Sequence, residues 1–167
     1  MHKIMFICHG NICRSPMAEF ITKKIVDDLG LSLDYEIVSR ATSGEEYGNT
    51  IYPPAARELY RRGIPFDSRR ESTLISPDEY DKYDIIALMD ERNIRNIKRY
   101  FPADPDKKIS KLMSFTGSSR DVSDPWYSGD FKTAFDDIYS GCVSLLCNID
   151  ERVTEEKIAA LSKIVMP

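Results

Sequence analysis

Short apolar runs alternate along the chain with segments in which apolar residues recur every three or four positions. The apolar runs predict four β-strands, at residues 3–7, 35–41, 85–89 and 108–112. The periodic segments predict helices at residues 15–29, 55–62 and 91–101, with a short helix after Ser76. Strands that alternate with helices are typical of a parallel sheet with helical crossovers, so the pattern predicts an α/β fold.

Capping residues support several of these helices. Pro16 suits the first turn of a helix, where its missing N–H needs no partner, and Gly30 is typical of a helix end. Ser76 and Glu79 have the spacing of a capping box. Glycine, serine and proline interrupt the periodicity over residues 114–130, which predicts a loop there.

The C-terminal region returns to helical spacing from Phe131 onward. The spacing continues to Val165 but does not decide between one long helix and two. We therefore expect a C-terminal helix that reaches about residue 165. The chain of 167 residues contains no repeat and no linker, and its length is usual for one domain, so residues 1–167 are predicted to form a single domain.

Composition argues against several classes of protein. Apolar residues make up 42% of the chain and charged residues 30%, which is typical of a folded globule. The net charge of −4 argues against a nucleic-acid partner. No apolar run approaches the roughly 20 residues of a membrane span, and no signal peptide is recognised, so we expect a cytoplasmic protein without a membrane partner. In that compartment the four cysteines are expected to be free, catalytic or redox-active.

The predicted loop between the first strand and the first helix carries the candidate chemistry. Five residues separate Cys8 from Arg14, and the backbone N–H groups of the loop and of the helix N-terminus are suited to bind an oxyanion. Gly10 permits close approach and a positive φ, and Asn11 tolerates left-handed geometry and can hold the loop with its amide. The planar guanidinium of Arg14 can bind two phosphate oxygens at once.

The same surroundings favour the thiolate form of Cys8, because a helix N-terminus and a guanidinium both stabilise negative charge. The Ser15 hydroxyl can donate a further hydrogen bond to the sulfur. Cys8 is therefore predicted to be a nucleophile that forms a covalent phosphocysteine intermediate. The alternative is a buried cysteine at the end of a strand with Arg14 as a surface charge. The residue types between them favour the catalytic interpretation.

Two other uses of Cys8 fit the sequence poorly. A Cys/His hydrolase needs a histidine that is distant in sequence, but the two histidines are His2, at the terminus, and His9, adjacent to Cys8. A zinc site needs a second pair of ligands at suitable spacing, and Cys142 and Cys147 fall instead on an apolar helical face. We therefore expect neither a metal ion nor another cofactor.

Cleavage of a phosphomonoester by Cys8 also needs an acid that protonates the leaving oxygen. Asp124 is the candidate, because it precedes Pro125, which stiffens the backbone, and two aromatic residues. Trp126 and Tyr127 can form a wall for an aromatic leaving group. An aspartate in an ordinary turn is the alternative, and only the requirement set by Cys8 favours the catalytic role.

These motifs resemble those of the low-molecular-weight protein tyrosine phosphatases. The segments that carry the resemblance are Ile7–Pro16, Ser39–Ser43, Asp84–Asp90 and Asp124–Tyr127. The resemblance extends from about residue 3 to about residue 147. It implies a single α/β domain of three layers, in which a four-stranded parallel sheet is flanked by helices on both faces.

The resemblance also implies a two-step hydrolysis of a phosphotyrosine-containing protein. Cys8 attacks phosphorus, Asp124 protonates the leaving oxygen, and Asp124 then activates the water that releases inorganic phosphate. Arg14 holds the phosphoryl oxygens in both steps. The other residues implied to bind the substrate or its phosphate are His9, Gly10, Asn11, Ile12, Cys13, Ser15, Trp126 and Tyr127.

Supporting roles follow from the same resemblance. Asn11 is implied to brace the loop, with Ser39 hydrogen-bonded to it. Cys13 is implied to form a reversible disulfide with Cys8, which would act as a redox switch. The resemblance implies no metal.

The sequence departs from the family in three places. Residues 65–70 lack the histidine that often helps to brace the loop asparagine, so other groups are expected to support the loop. Glu45 replaces an aromatic residue of the pocket wall and lies beside Glu46 and Tyr47, which makes that wall more polar. The tail, residues 151–167, is longer than is typical.

Three other functions are weighed against this hypothesis. Arsenate reductases with this fold relay a disulfide through further cysteines, and this chain has none between Cys13 and Cys142. Phosphoarginine phosphatases carry a threonine at the position of Ile12, whose bulkier apolar side chain favours an aryl phosphate. A module that only binds anions would need the loop donors alone, so the presence of both Cys8 and Asp124 favours an enzyme.

Overall fold

The computed structural model describes all 167 residues and contains one sheet of four strands. The strand order is β2–β1–β3–β4, and every neighbouring pair is parallel. The strands are β1 (His2–Cys8), β2 (Tyr35–Ala41), β3 (Ile85–Leu88) and β4 (Ile109–Lys111). The predicted α/β fold with a four-stranded parallel sheet is therefore confirmed.

Helices connect these strands and cover the sheet. The α-helices are α1 (Arg14–Asp28), α2 (Pro53–Arg61), α3 (Glu91–Ile97), α4 (Pro125–Ser128), α5 (Phe131–Ile149) and α6 (Glu155–Leu161). Three short 3₁₀ helices occupy Ser32–Asp34, Pro77–Lys82 and Leu112–Thr116. The predicted capping box of Ser76 and Glu79 is present and begins the second of these.

The alternating side chains of β1 enter two separate apolar layers. Ile4 and Phe6 belong to the larger layer, which contains the buried faces of α1 and α5. Met5 and Ile7 belong to the smaller layer, which contains Ile97 of α3. All four strand residues are fully buried. Helices therefore cover both faces of the sheet, as the resemblance implies, and β1 is anchored from both sides.

The carboxyl ends of three strands meet at one edge of the sheet. Because β1 lies between β2 and β3, Cys8 is paired with Ala41 on one side, and Ile7 is paired with Leu88 on the other. The loop after β1 is consequently flanked by the connections that follow β2 and β3. Ligands of open α/β sheets bind at this edge.

The prediction of a loop throughout residues 114–130 was wrong, because the short helix α4 lies within it. The carboxylate of Asp124 caps α4 by accepting a hydrogen bond from the N–H of Trp126 at 3.1 Å, and Pro125 occupies the first turn. Gly129, with φ 73°, ends the helix in the left-handed region. Helix α3 is also shorter than predicted, because the chain after Ile97 continues as a turn.

The C-terminal periodicity belongs to two helices, α5 and α6. The side chain of Thr154 accepts a hydrogen bond from the N–H of Lys157 and so begins α6 separately. Helix α6 ends at Leu161, short of the expected position, because Ser162 adopts extended backbone angles (φ −67°, ψ 134°). No helix of the chain has both the length and the apolar character needed to span a membrane.

Candidate active site

The loop that joins β1 to α1, residues 9–13, is curved so that the backbone N–H of Asn11 faces the sulfur of Cys8. Asn11 has φ 57°, in the left-handed region that asparagine tolerates better than most residues. Gly10 does not have the positive φ that the sequence permitted. A Cβ atom at Gly10 would lie 3.1 Å from Cγ of Glu46, which is a tight contact, so the glycine permits close packing of Glu46 instead.

Two donors surround the sulfur of Cys8, whose residue is only 4% exposed. The N–H of Asn11 donates to Sγ at 3.2 Å, and the hydroxyl of Ser15 lies 3.0 Å from it. The side-chain amide of Asn11 donates to the Ser15 oxygen at 2.8 Å, which leaves the hydroxyl proton of Ser15 free to point at the sulfur. This arrangement stabilises a negative charge on Cys8.

Arg14 is almost completely buried beside the pocket, with its guanidinium held by three oxygens. Nη1 donates to Asp90 at 2.7 Å and to the carbonyl of Val122 at 2.8 Å, and Nη2 lies 3.3 Å from Asp124. Burial alone would lower the pKa of Arg14, but Cys8 and the two carboxylates raise it above its ordinary value. The guanidinium is therefore a fixed positive charge whose planar fork is already oriented.

Asp124 lies at the N-terminus of α4, and its two carboxylate oxygens have different partners. Oδ1 accepts the N–H of Trp126, and Oδ2 faces Arg14. The side chain is 27% exposed, so solvent reaches it. Asp124 therefore lies in the pocket that contains Cys8, beside the guanidinium of Arg14.

One pocket brings together nine of the residues predicted to act on the substrate. They are Cys8, His9, Gly10, Ile12, Cys13, Arg14, Asp124, Trp126 and Tyr127. Trp126 and Tyr127 are exposed at its mouth, and the Trp126 ring lies 4.8 Å from that of Tyr52. The pocket therefore has a polar floor and an aromatic rim, which suits a phosphate attached to an aromatic ring.

Three predicted residues do not line this pocket but lie behind it. Asn11, Ser15 and Ser39 are at most 1% exposed. Of these, Asn11 still acts on the site through its backbone N–H, and Ser15 acts through its hydroxyl. The implied contact of Ser39 with Asn11 is present, because the amide of Asn11 donates to the Ser39 oxygen at 2.9 Å.

A buried carboxylate sets the direction of these hydrogen bonds. Ser39 donates to Glu19 at 2.5 Å, because an ionised carboxylate can only accept. The Ser39 oxygen must then accept from Asn11, which places the nitrogen of the Asn11 amide toward Ser39 and Ser15. Lys23 contacts the other oxygen of Glu19 at 2.6 Å and balances its charge. The hydrogen bonds thus run outward from the amide nitrogen of Asn11, through Ser39 to Glu19 on one side and through Ser15 to the sulfur of Cys8 on the other.

Arg70 supports the loop in the segment that lacks the usual histidine. Its Nη1 donates to the backbone carbonyl of Asn11 at 2.7 Å, and Nη2 donates to the side-chain oxygen of Asn11 at 2.6 Å. Nη2 also reaches the Ser39 oxygen at 3.1 Å. Thr73 donates its N–H to the same Asn11 side chain, and Ser72 donates to the carbonyl of Gly10. Hydrogen bonds to the backbone oxygen and to the side-chain oxygen of Asn11 therefore hold its left-handed backbone in place.

All four cysteines are free thiols in the structure. Cys13 is 6% exposed, and burial together with the nearby charges of Cys8 and Asp124 raises its pKa far above the ordinary value. The raised pKa favours the neutral thiol form of Cys13. The structure contains no cluster of three or more histidine, cysteine or acidic residues that could hold a metal ion.

Sequence reasoning missed several groups that complete the site. Asp90 and the carbonyl of Val122 orient Arg14, and Arg70 and Glu19 support the loop from behind. Arg92 lines the pocket together with Glu45 and Glu46, of which Glu45 was expected in the wall. A detectable signal for Asp90 was its place directly after a buried strand that neighbours β1.

Comparisons with known sequences agree on one family. A sequence profile described as low molecular weight phosphotyrosine protein phosphatase matches residues 3–158. The low molecular weight protein-tyrosine-phosphatase PtpA of Staphylococcus epidermidis is 35% identical over 147 residues, which cover 87% of this chain and 92% of that protein. The corresponding protein YfkJ of Bacillus subtilis is 33% identical over 153 residues, covering 90% and 97%.

Solved structures give the same result. The crystal structure of YfkJ from Bacillus subtilis matches 92% of this chain and 98% of that chain, with a TM-score of 0.86 and 32% identity. The low molecular weight protein tyrosine phosphatase SP-PTP from Streptococcus pyogenes matches 96% and 99%, with a TM-score of 0.82 and 34% identity. The similarity thus extends over nearly the whole chain.

Proposed function

Because the chain belongs to the low molecular weight protein tyrosine phosphatase family, we propose that Cys8 is the nucleophile of a phosphotyrosine hydrolysis that proceeds in two steps. The observation that carries the proposal is the pair of donors on the Cys8 sulfur, Asn11 N–H and the Ser15 hydroxyl, beside a fixed Arg14. A thiol with no catalytic task would not need this arrangement.

In the first step, the thiolate of Cys8 attacks phosphorus, and the bond between phosphorus and the tyrosyl oxygen breaks. Asp124, protonated at this stage, gives its proton to that oxygen, so tyrosine leaves as a neutral phenol. Arg14 and the N–H groups of the loop hold the equatorial oxygens as charge accumulates on them. The product is a phosphocysteine on Cys8.

In the second step, the carboxylate of Asp124 removes a proton from a water molecule, whose oxygen attacks the phosphorus of the intermediate. The bond between phosphorus and sulfur breaks, and inorganic phosphate is released. The Ser15 hydroxyl donates to the sulfur as it regains its negative charge. Asp124 ends protonated and is ready for the next cycle.

Ile12, Trp126 and Tyr127 give the pocket its preference for an aromatic ester. Their side chains line the space between the polar floor and solvent. His9, Gly10 and Cys13 complete the pocket around the phosphate. A phosphotyrosine-containing protein is the substrate class that fits, with inorganic phosphate as the second product, and no nucleic acid takes part. The free thiols suit action in the cytoplasm.

Cys13 is proposed to protect Cys8 under oxidation. A hydroperoxide would convert the Cys8 thiolate into a sulfenic acid and leave as an alcohol or water. The thiol of Cys13, which lines the same pocket, would then form a disulfide with Cys8 and release water. A dithiol would reduce that disulfide and restore activity.

Rapid mixing with para-nitrophenyl phosphate tests the nucleophile. We expect a burst of nitrophenol of about one equivalent per enzyme, followed by steady turnover, because covalent intermediates accumulate when their hydrolysis is slower. Cys8→Ser should lose both phases. Cys147→Ser, a cysteine on α5 outside the pocket, is the matched control and should keep both. Turnover by Cys8→Ser at the wild-type rate would refute the phosphocysteine.

The substrate class is tested by comparing phosphotyrosine with phosphoarginine. The apolar side chain of Ile12 and the aromatic rim favour phosphotyrosine, so its kcat/KM should be higher. Faster turnover of phosphoarginine would leave the mechanism intact and change the assigned substrate.

A further inference from the structure

The mouth of the pocket has charges of opposite sign on its two sides. The sheet order places the connection after β2 on one side of the β1–α1 loop and the connection after β3 on the other. Glu45 and Glu46 come from the first connection, and Arg92 comes from the second. Any peptide chain that presents a side chain to Cys8 must leave the pocket between or beside these charges.

The acidic side is formed by two carboxylates with different degrees of restraint. Glu46 packs against Gly10 and accepts a hydrogen bond from Asn49 at 2.6 Å, which fixes its side chain at the pocket wall. Glu45 is 72% exposed, and its carboxylate lies 3.2 Å from the His9 ring. Both carboxylates therefore remain available to a positively charged group of a ligand.

The basic side consists of Arg92, which is exposed and forms no hydrogen bond or ion pair within the chain. It lies in the first turn of α3, where a positive charge is opposed by the helix dipole. Neither an ion pair within the chain nor the helix dipole therefore explains why a positive charge occurs at this position. Arg95, one turn later on the same helix, is also exposed and unpaired, but it does not line the pocket.

We propose that this divided mouth selects phosphotyrosine segments by charge, with an acidic residue of the substrate beside Arg92 and a basic residue beside Glu45 and Glu46. The inference rests on the proposed function, and it adds the class of peptide that the enzyme prefers. Each contact is an exposed ion pair and has a modest energy. The two contacts act on opposite sides of the phosphotyrosine and so also favour one direction of the peptide.

The test uses synthetic phosphotyrosine peptides of equal length that differ in one flanking residue. One peptide is neutral, and the others carry a single acidic or basic residue before or after the phosphotyrosine. Rates of phosphate release at low substrate concentration give kcat/KM, normalised to para-nitrophenyl phosphate for each enzyme variant. We expect one acidic and one basic peptide, with charges on opposite sides, to exceed the neutral peptide by about two- to fivefold.

Variants assign each preference to its residue. Arg92→Glu should abolish or reverse the acidic preference and leave the basic one, whereas Glu45→Lys should do the opposite. Arg95→Glu should change neither. Both preferences should shrink as the ionic strength rises from about 0.05 M to about 0.5 M, because exposed charges are screened.

Several results would overturn the inference while leaving the proposed function in place. Equal rates for all wild-type peptides would do so, as would an acidic preference that survives in Arg92→Glu or falls equally in Arg95→Glu. A preference for the basic peptide that survives in Glu45→Lys would refute the role proposed for the acidic side of the mouth. Failure of the proposed function is seen separately, as the absence of para-nitrophenyl phosphate turnover by the wild-type enzyme.

Discussion

Behind the β1–α1 loop, the side chains of Asn11, Ser39 and Arg70 form a continuous set of hydrogen bonds, whereas at the mouth Arg92 and Tyr127 project into solvent. The buried side has one arrangement because the carboxylate of Glu19 and the guanidinium of Arg70 fix the direction of its hydrogen bonds. The exposed side can adapt to a ligand. Chemistry common to all substrates is therefore built into the rear of the loop, and discrimination among substrates is left to the mouth.

This difference predicts that substitutions behind the loop and substitutions at the mouth will affect the hydrolysis rates in different ways. A change behind the loop should reduce the rates for all substrates by a similar factor, including small aryl phosphates. A change at the mouth should alter the ratio between substrates. Four substitutions test the division, from the largest expected effect to the smallest.

Replacing Arg14 should have the largest effect. Arg14→Ala removes the bidentate donor to the phosphoryl oxygens and leaves Asp90 and Asp124 without their positive partner. We expect kcat/KM to fall by about 10³-fold or more for every substrate, since one lost oxyanion donor alone costs about 10²–10³. Arg95→Ala is the control. A loss that differs strongly between phosphotyrosine peptides and para-nitrophenyl phosphate would contradict a role common to all substrates.

Asp124→Asn should be next, with a loss that depends on the leaving group. Asparagine cannot supply a proton, so phenyl phosphate, which has a poor leaving group, should lose about 10²–10⁴-fold in kcat/KM. Para-nitrophenyl phosphate should lose much less, because nitrophenolate leaves without protonation. Steady-state rates over a series of substituted phenyl phosphates measure this dependence. The same loss for every phenol would remove Asp124 from the acid role.

Arg70 should show a smaller loss that is independent of substrate. Arg70→Ala frees the backbone oxygen of Asn11 and leaves its side-chain oxygen with only the Thr73 N–H, so the N–H aimed at Cys8 becomes less well positioned. We expect kcat to fall by about tenfold, in proportion for peptides and small esters. Arg69→Ala, at an exposed neighbour, is the control.

A second variant separates positioning from simple loss of stability. In Arg70→His the support should depend on pH, because histidine loses a donor as pH rises through its ordinary pKa of about 6.5. Activity relative to wild type should therefore be higher below this pH and lower above it. A parallel pH profile for the two enzymes would argue that Arg70 only contributes to folding.

The smallest effect is expected at the rim. Trp126→Ala should raise KM for aryl phosphates by about two- to tenfold, because aromatic contacts contribute little at a half-exposed position. An alkyl phosphate should be unaffected, and kcat should change little. Equal changes in KM for aryl and alkyl esters would place Trp126 in phosphate binding rather than ring recognition.

The sheet and the central loop were predictable from sequence because both depend on local pattern. The strand of apolar residues that ends at Cys8 and the helix that begins at Arg14 determine the placement of the nucleophile. The contribution of Asp124 followed from a chemical requirement. Helix α4 was not predicted, because four residues give too little periodicity, and only the cap by Asp124 marks it.

The remainder of the site depends on contacts that no local pattern contains. Arg70 lies 59 residues from Asn11 along the chain, and its neighbour Arg69 is an equally plausible candidate in the sequence. Only the folded segment decides which arginine faces the loop. The same holds for Arg92, because only the sheet order places its charge on the other side of the pocket from Glu45.

The positions of the partners of Arg14 in the sequence also have a consequence for folding during synthesis on the ribosome. Asp90, Val122 and Asp124 lie 76, 108 and 110 residues downstream of it. The motif from Cys8 to Arg14 emerges first, yet its arginine has no partner until Asp90 is synthesised, at about half of the chain, and lacks the other two until about three quarters of the chain is made. We therefore expect the pocket to be complete only after Asp124 has been synthesised, so that hydrolysis begins late in translation.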